Sequence, residues 1–273
     1  MHSVELVTLA GGILAGFLGA LVGVGGGVLL VPLLNSVLGM SFAEARGISL
    51  IGVLGTSVSG VLAPASRSLV NVRLALFLLC FSISGAWIGA RYLTGFPDRT
   101  YEVIFGITTG VVAVLMLIRR NTRNVLPAGT KDLGAFGGRI HDADTLTEVA
   151  YRVKRLPVAS AVSFAAGILA SIIGIGGGIV IVPALNSLCG VPMRVAATTS
   201  VLMIGITAIP PIVSAWMSNH LGAPWVAAAT GIGAVIGFHA GTKVSPYAPV
   251  KWLKVGMAAL LVAVSVQYLF CRP

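Results

Sequence analysis

The sequence predicts an all-α integral membrane protein built from two related halves, and three observations lead to this prediction. Of the 273 residues, 56% are hydrophobic and only 10% are charged, with a mean hydropathy of +0.98. Apolar runs long enough to cross a bilayer follow one another along the chain. A glycine-rich segment also occurs twice, at an offset of 151 residues. These features exclude a soluble domain and indicate an internal duplication.

The duplicated segments are residues 16–36 and 167–187, which are identical at eleven of 21 positions. Each contains Gly-x-Gly-Gly-Gly followed by Val-Pro and Asn-Ser. Glycines at this spacing also occur in phosphate-binding loops, but such loops need a strand before them, a helix after them and a later acidic residue. Each copy here lies inside about 35 apolar residues without that context. We therefore reject the nucleotide-binding interpretation.

The first apolar run, residues 4–40, is too long for one straight span. As a single helix it would measure about 55 Å, whereas the hydrocarbon core of a bilayer is about 30 Å thick. The natural break is the glycine cluster at residues 23–27, because glycine weakens a helix and Pro32 removes a further backbone donor. The second copy, residues 156–191, repeats this pattern. We expect each copy to break or double back.

Three more apolar runs follow in each half. They lie at residues 47–63, 74–94 and 101–118, and at 195–218, 224–242 and 252–270. Small-residue ladders that favour close helix packing recur as well, with Gly85 and Gly89 matched to Gly233 and Gly237. Residues 1–118 thus form a first transmembrane repeat and residues 156–273 a second one.

Residues 119–155 form a polar linker between the repeats. This segment holds 8 of the 18 Lys and Arg residues, so it is predicted to be cytoplasmic. Thr145 and Glu148 fit a capping box, and apolar residues recur there at helical spacing. A short amphipathic surface helix is therefore expected in the linker.

The distribution of Lys and Arg decides how the halves are oriented. If each glycine-rich run is a hairpin, the number of crossings in each half is odd and the halves are inverted. That topology places the following residues inside with the linker: Arg67, Arg73, Arg194, Lys243, Lys251 and Lys254. It leaves Arg46, Arg99 and Arg272 outside, together with both termini. A parallel arrangement puts more cations outside, so the positive-inside rule favours inverted repeats, the arrangement typical of secondary transporters.

The glycine breaks are the predicted substrate site. In inverted repeats, broken helices direct the N-termini of half-helices at an anion near the midplane of the membrane. Unpaired backbone N–H groups can bind an oxyanion there without a buried Lys or Arg. The residues proposed for this role are Gly25, Gly26, Gly27, Gly176, Gly177 and Gly178. The alternative is that the glycines only allow helices to cross.

Several polar side chains are candidates to complete the site. Asn35 and Asn186 occupy equivalent places two turns beyond the breaks, where symmetry would bring them to one cavity; the alternative is a helix C-cap before Gly39 and Gly190. The hydroxyl candidates are Ser49, Ser200 and Thr199. For these, a hydrogen bond to a carbonyl one turn back in the same helix is the ordinary alternative.

His239 and Arg91 sit at matching ends of the third apolar run in their halves. The imidazole of His239 is a candidate to carry a coupling proton, because its pKa crosses neutrality with small changes in surroundings. Snorkelling to the membrane interface explains Arg91 as well as anion attraction does. Glu44, Arg46 and Glu102 are interpreted as residues at the ends of spans.

No other chemistry is predicted. The three cysteines are isolated, so neither a disulfide framework nor a metal site is indicated. No set of nucleophile, base and orienting group is present, which argues against an enzyme. The net charge of +10 is explained by membrane orientation, so nucleic-acid binding is not expected. No cofactor is predicted.

The paired Gly-x-Gly-Gly-Gly-x-x-x-Val-Pro segments, opening two similar halves around a polar linker, resemble the TauE/SafE family of sulfite exporters. The resemblance covers nearly the whole chain. It implies a bacterial inner-membrane permease that moves small sulfur-containing anions, such as sulfite, sulfonates or thiosulfate, usually outward. The expected partners are this anion and the lipid bilayer, and a homodimer is compatible with the sequence. Transport of a carboxylate, or a membrane subunit that assembles or senses without transporting, are the alternatives.

Overall fold

The structure is a computed structural model that describes residues 2–22, 25–63, 69–93, 95–118, 125–126, 134–141, 148–218, 221–244 and 250–270. Arg67 and Arg272, used above in the charge comparison, lie outside these ranges. The helices of the first half are α1 (His2–Val22), α2 (Gly27–Pro32, continued by a π-helical turn at Leu33–Val37), α3 (Phe42–Leu62), α4 (Val72–Tyr92) and α5 (Asp98–Ile118). Those of the second half are α6 (Leu156–Ile173), α7 (Gly178–Ser187), α8 (Met193–Thr207), α9 (Ile209–Met217), α10 (Pro224–Val244) and α11 (Val250–Phe270).

The protein is a helical membrane protein with several spans. Among the described residues, five helical segments are long and apolar enough to cross a membrane: α3, α4, α6, α8 with α9, and α10. Their outward faces carry large exposed apolar side chains, for example Leu76 at 58% and Ile232 at 57% exposure. Exposed apolar surface on this scale is costly in water and is suited to lipid. The predicted all-α integral membrane class is confirmed.

The two halves interleave, because the first helix of each half packs on the third span of the other. Helix α1 packs along α10, and α6 packs along α4. Glycines make this approach close: a Cβ added at Gly16 would overlap the carbonyl oxygen of Ala234, and one added at Gly167 would overlap that of Ser82. Close packing through small residues replaces the hydrophobic effect, which does not act between helices in lipid.

The contacts correct the predicted pairing of the glycine ladders. Gly85 meets the carbonyl of Phe164, and Gly237 meets the carbonyl of Ile13. Ile13 and Phe164 are equivalent, since they are 151 residues apart in the chain. Gly85 is therefore the structural equivalent of Gly237. The sequence comparison had matched it to Gly233, one helical turn too early, because the offset between the halves is not constant beyond α3.

By the same contacts, Gly89 is equivalent to Gly241, since these residues meet Ile168 and Phe17. The equivalent of Arg91 is then Lys243, in the last turn of α10. The prediction that Arg91 and His239 occupy matching positions is wrong for this reason.

At the first glycine cluster the chain doubles back on itself. Gly26 lies against Ala15 of α1, with a distance of 2.5 Å from an added Cβ to the Ala15 oxygen. Further along α2, Leu33 lies against Gly11, with 2.8 Å from an added Cβ to Cδ2 of the leucine. Residues later in α2 thus contact residues earlier in α1. The two helices run antiparallel, as in a hairpin.

Local signals explain where the third helix begins and why its counterpart is divided. Ser41 caps α3, since its hydroxyl accepts the amide of Glu44 while the Glu44 carboxylate accepts the amide of Ser41. This capping box satisfies orphan N–H groups at the helix start. In the second half, α8 ends at Thr207 and α9 begins at Ile209. Pro210 at the start of α9 accounts for the division, because proline cannot donate to the helix ladder.

The linker contains a small antiparallel sheet in the order β1-β3-β2, made by Val125–Leu126, Gly138–His141 and Glu148–Tyr151. The amphipathic helix expected around Glu148 is therefore wrong, because this segment is strand β3. Tyr151 pairs with both Val125 and Gly138 across the sheet. Pairing with two neighbouring strands has overridden the helical spacing of the apolar residues.

The linker sheet docks at one end of the helical bundle, which we call the linker end. The side-chain amide of Asn71, the N-cap of α4, donates to the Phe136 carbonyl at 2.8 Å and to the Tyr151 hydroxyl at 2.9 Å. The amide of Lys154 donates to the carbonyl of Cys189, just after α7, at 3.0 Å. Burial raises the pKa of the Tyr151 phenol, which keeps this hydroxyl protonated.

The opposite end, where α3 and α5 begin, is closed by aromatic packing; we call it the far end. The ring of Phe42 stacks on Tyr101 at 5.9 Å between centroids and meets Phe105 and Tyr268 edge-on. These rings join α3, α5 and α11 into one apolar cluster. The glycine clusters lie between the linker end and the far end.

Candidate functional site

The two glycine clusters meet in the interior, where they form what we call the glycine crossing. A Cβ added at Gly27 would lie 2.9 Å from Cα of Ile175 and 3.1 Å from the carbonyl oxygen of Gly174. Residues 25–27 and 174–178 are all buried. The sequence predicted that both clusters belong to one site, and the structure brings them into direct contact.

Glycine is required at the crossing by the backbone conformation. Gly26 and Gly177, the N-caps of α2 and α7, both have φ of 74°. Gly25 and Gly176, which precede them, have φ of 82° and 79°. Two consecutive residues in the left-handed region are strongly disfavoured for any residue with a Cβ. The glycines therefore form the sharp turns from which the two half-helices start.

The two half-helices begin at the same place and lead away from it. The carbonyl of Gly26 accepts the amides of Leu29 and Leu30, and that of Gly177 accepts those of Val180 and Ile181. The amides that come just before these have no partner within their own helix, as at every helix start. Two partial positive charges from helix dipoles thus lie next to each other. This arrangement favours an anion and disfavours a cation.

Two apolar side chains, one from each half, pack against the glycine turns of the crossing. Val53 of α3 and Ile204 of α8 both contact the Cβ positions of Gly25 and Gly176, at 3.5 Å in the case of Gly25. These two positions are equivalent in the two halves, at the usual offset of 151. Sequence reasoning missed both residues, because nothing distinguishes them from other aliphatic residues in the spans.

Ser49 links the two glycine clusters. Its hydroxyl donates to the Gly174 carbonyl at 3.0 Å and to the Gly27 carbonyl at 3.3 Å. Thr56, two turns later, donates to the Gly25 carbonyl at 3.1 Å. Both hydroxyl protons are engaged with backbone oxygens, so in this state they hold the turns in place and do not offer a proton to an anion.

Among the described residues, the hydroxyl bonds of the other two candidates, Ser200 and Thr199, are made to partners outside the glycine turns. Ser200 is buried and donates to Ala197 in its own helix at 2.8 Å, which is the ordinary alternative for a helical serine. Thr199 is also buried, and its hydroxyl accepts the backbone amide of Asn71 at 3.1 Å. Thr199 therefore supports the start of α4 at the linker end.

Asn35 and Asn186 are not brought together. The side-chain amide of Asn35 donates to the Met40 carbonyl at 2.8 Å, and that of Asn186 donates to the Val191 carbonyl at 2.9 Å. Each bond closes the turn that follows its half-helix. Because the half-helices lead away from the crossing in opposite directions, the asparagines stand at opposite ends. The C-capping alternative describes these contacts better than a shared cavity.

Gly39 and Gly190 complete these turns with φ of 65° and 73°. Asn35 also accepts a hydrogen bond from the Tyr268 hydroxyl at 3.1 Å, which ties the end of the first half-helix to α11. The turns at the two ends are thus built alike.

His239 and Arg91 are both exposed. On α10, the buried positions around His239 are Gly237, Phe238 and Gly241, so the imidazole lies on the opposite face from the packed one. The guanidinium of Arg91 lies 5.8 Å from the ring centroid of Tyr92. Neither side chain reaches the crossing.

Arg46 is the polar residue near the crossing that sequence reasoning misjudged. It lies near the end of a span, in the second turn of α3, as predicted, but only 7% of it is exposed. A Cβ added at Gly174 would lie 2.6 Å from Cγ of Arg46. The available signal was its spacing, since Arg46, Ser49 and Val53 share one face of α3.

No group of three or more potential metal ligands occurs among the residues described.

Comparison with known proteins identifies the family. Residues 8–268 match the family described as sulfite exporter TauE/SafE. The chain belongs to the TauE/SafE family. The match spans both halves and the linker of this TauE/SafE protein. No solved structure matches the chain.

Curated relatives of this TauE/SafE protein are named as transporters. It is 28% identical to the probable membrane transporter protein YunE of Bacillus subtilis, over 99% of this chain and 98% of that protein. A probable membrane transporter protein of Xylella fastidiosa is 29% identical over 73% of this chain and 69% of that protein. One from Methanocaldococcus jannaschii is 25% identical over 77% and 72%. Together with the family, these relatives support a multi-pass membrane transporter.

Proposed function

We propose that this TauE/SafE protein is a secondary transporter that exports a small sulfur-containing oxyanion, such as sulfite, a sulfonate or thiosulfate, across the bacterial inner membrane. The observation that carries the proposal is the glycine crossing, where the N-termini of two half-helices meet in the buried interior. An oxyanion needs several hydrogen-bond donors at one point, and helix N-termini provide them without a mobile charge. The family description supplies the sulfur chemistry.

The proposal includes inverted repeats, and the supporting observation is the direction of equivalent helices. Between α5 and α11, Gly106 lies against Leu269 whereas Gly110 lies against Ser265. These two helices are equivalents in the two halves, and their contacts run in opposite directions. Between α3 and α8, Gly60 lies against Val201 whereas Ser57 contacts Gly205. Antiparallel equivalents are expected when the pseudo-two-fold axis lies in the membrane plane.

In the proposed orientation the linker end faces the cytoplasm and both termini face outward. The linker carries 8 Lys and Arg residues, and Arg73 and Arg194 lie in the first turns of α4 and α8, close to the linker contact made by Asn71. This concentration of cations agrees with the positive-inside rule. Alkaline phosphatase fused after Arg272 should then be active, and the same fusion at Gly129 inactive. The reverse pattern would overturn this orientation, and equal activity of the two fusions would remove the inverted-repeat proposal.

The substrate is tested by flux in proteoliposomes that contain the purified protein. Labelled sulfite, a sulfonate, thiosulfate and acetate are compared with and without a pH gradient. Selective movement of one sulfur anion supports the proposal and shows whether protons are coupled. Preferred movement of acetate would replace the sulfur substrate by a carboxylate. If folded protein binds these anions without moving any of them, the chain is a binding or sensing subunit.

A further inference from the structure

Arg46 is a buried charged residue, and one nitrogen of its guanidinium has no hydrogen-bond partner in the described part of the chain. The residue lies in the second turn of α3, and its Nη1 atom is buried with no hydrogen-bond partner among the described residues. An unsatisfied buried donor costs free energy, and the cost is larger for a charged group. A bound anion would supply the missing hydrogen-bond acceptor and offset this cost.

The surroundings hold the guanidinium in place but leave a donor open. Its Cζ lies 5.3 Å from the ring centroid of Tyr101, as in a cation–π contact. On its other side, the stem of Arg46 contacts Gly174 at the glycine crossing. One turn further along α3, Ser49 bonds to the carbonyl of the same glycine. Arg46 therefore lies between the aromatic cluster of the far end and the crossing.

The neighbouring carboxylates are engaged elsewhere. Asp98 accepts the backbone amide of Phe42 at 3.3 Å. The carboxylate of Glu102 lies 3.7 Å from the guanidinium of Arg99. In the part of the chain that the structure describes, no carboxylate forms an ion pair with Arg46. Asp98 and Tyr101 still interact electrostatically with the guanidinium, but its Nη1 donor stays open to an anion from outside the protein.

The second half has no such residue. The position equivalent to Arg46 is Ala197, at the usual offset of 151. The backbone of the crossing is repeated in both halves, but only the first half has an arginine at this position. A site built around Arg46 is therefore single and asymmetric, in contrast to the paired glycine turns.

We propose that the guanidinium of Arg46 is a binding site for a small oxyanion, placed between the far end and the glycine crossing. A guanidinium offers planar, paired N–H donors that match two oxygens of such an anion, and its charge strengthens these bonds. The inference rests on the proposed transport function for the nature of the ligand and adds the side chain that receives it. An anion that reaches the crossing from the far end meets Arg46 first.

The test uses sulfite as the probe and the full-length protein in detergent. Binding is measured by the rise in the temperature of unfolding with sulfite concentration, for the native protein, Arg46→Gln and Arg46→Lys. Arg91→Gln is the matched control, because Arg91 also lies over a tyrosine ring but is exposed. We expect sulfite to stabilise the native protein and the control equally, since ligand binding to the folded state raises its stability.

For Arg46→Gln we expect the Kd for sulfite to rise at least about tenfold, because a charge-assisted bidentate contact is lost. Arg46→Lys should bind with an intermediate Kd, since lysine keeps the charge but not the paired geometry. Without sulfite, Arg46→Gln should unfold at an equal or higher temperature than the native protein. A purely structural arginine predicts the opposite pattern, namely a lower unfolding temperature and an unchanged Kd, and this result would overturn the proposal.

Flux separates this inference from the proposed function. If the native protein moves sulfite and Arg46→Gln does so with unchanged KM, the site at Arg46 is refuted while transport stands. If the native protein binds sulfite through Arg46 but moves no anion, the site stands and the transport proposal falls. If the native protein neither binds nor moves sulfite, thiosulfate or acetate, both are refuted.

Discussion

The two halves of the molecule are alike in the backbone of their glycine turns and different in the side chains around them. Gly26 and Gly177 have the same φ of 74° and start the same kind of half-helix. Yet Arg46 stands in the first half where Ala197 stands in the second. The repeated backbone therefore builds the central crossing, whereas side chains that are not repeated make the far-end side of the crossing different from the linker-end side.

The largest expected effect is at the helix crossings that interleave the halves. In Gly16→Ala and in Gly167→Ala, the new Cβ would overlap a backbone carbonyl oxygen of Ala234 or Ser82. Backbone cannot move aside as a side chain can, so each variant should lose about 3 kcal/mol of stability. The measurement is the yield and unfolding temperature of detergent-purified protein.

Because the contact is present in both halves, the two substitutions should be about equally harmful. The control is Gly256→Ala, since a Cβ there meets no atom of the described residues within 4 Å. It should leave the unfolding temperature unchanged or raise it, as expected for Gly→Ala in an exposed helix position. A harmless Gly16→Ala would show that α1 and α10 do not pack in this way.

A second prediction separates the two glycine turns, which the sequence presents as equivalent. Alanine at either Gly26 or Gly177 must adopt a positive φ, at about 1–2 kcal/mol. At Gly26 the Cβ would also lie 2.5 Å from the Ala15 carbonyl oxygen, compared with 3.0 Å from the Ala166 oxygen at Gly177. Gly26→Ala should therefore unfold at a lower temperature than Gly177→Ala.

Equal unfolding temperatures would contradict the difference between the two hairpins. This result also bears on the anion site, because only Gly177→Ala is expected to remain folded well enough for binding measurements. A loss of sulfite affinity in folded Gly177→Ala would support anion binding by the backbone N–H groups at the crossing.

Much of the fold could be predicted because it depends on local composition. Apolar runs gave the spans, and the glycine cluster with Pro32 gave the break, since these features act on the backbone directly. The register of α4 against α6 could not be predicted, because Gly85 is placed by a contact with Phe164, far away in the chain. Strand β3 was missed for a similar reason, since its stability comes from pairing with two other strands.

The candidate site was predictable to the same extent. The glycines were found because only glycine adopts a positive φ without steric cost, so the residue type itself indicates a turn. Arg46 was missed, since a charge in the second turn of a span looks exposed until Tyr101 of α5 and Gly174 of the second half are placed over it. For Asn35 and Asn186, the sequence showed that the two positions are equivalent. It could not show which carbonyl each side-chain amide meets, because that depends on the turn that follows.

A third prediction concerns the hydroxyl that joins the two turns. In Ser49→Ala, the carbonyls of Gly27 and Gly174 lose a shared donor, at about 1–2 kcal/mol for a buried hydrogen bond. Ser84→Ala is the control, because Ser84 is exposed and bonds only within its own helix, to Cys80. The unfolding temperatures of both variants are compared. If Ser49→Ala is as stable as the control, the bridge does not hold the crossing together.

A fourth, smaller effect is expected at the outer ends of the half-helices. Asn35→Ala and Asn186→Ala each remove the amide that closes a turn onto Met40 or Val191. Each should lose about 1 kcal/mol of stability, with the KM for sulfite changed by less than about twofold, because neither amide points to the crossing. A large rise in KM in both variants, with stability intact, would restore the asparagines as substrate ligands.

The smallest effect is expected for His239→Gln, the test of proton coupling. Its side chain is exposed on the outward face of α10, next to the buried glycine Gly237 that packs on α1. Substitutions at such positions usually change stability by less than about 0.5 kcal/mol. A proton coupled to transport has to be exchanged near the path of the anion, and the structure places this imidazole on the face turned away from it. Flux driven by a pH gradient should therefore be the same in the variant and in the native protein. If His239→Gln abolishes that flux and leaves sulfite binding intact, the histidine carries the coupling proton, and the outer face of α10 takes part in the transport cycle.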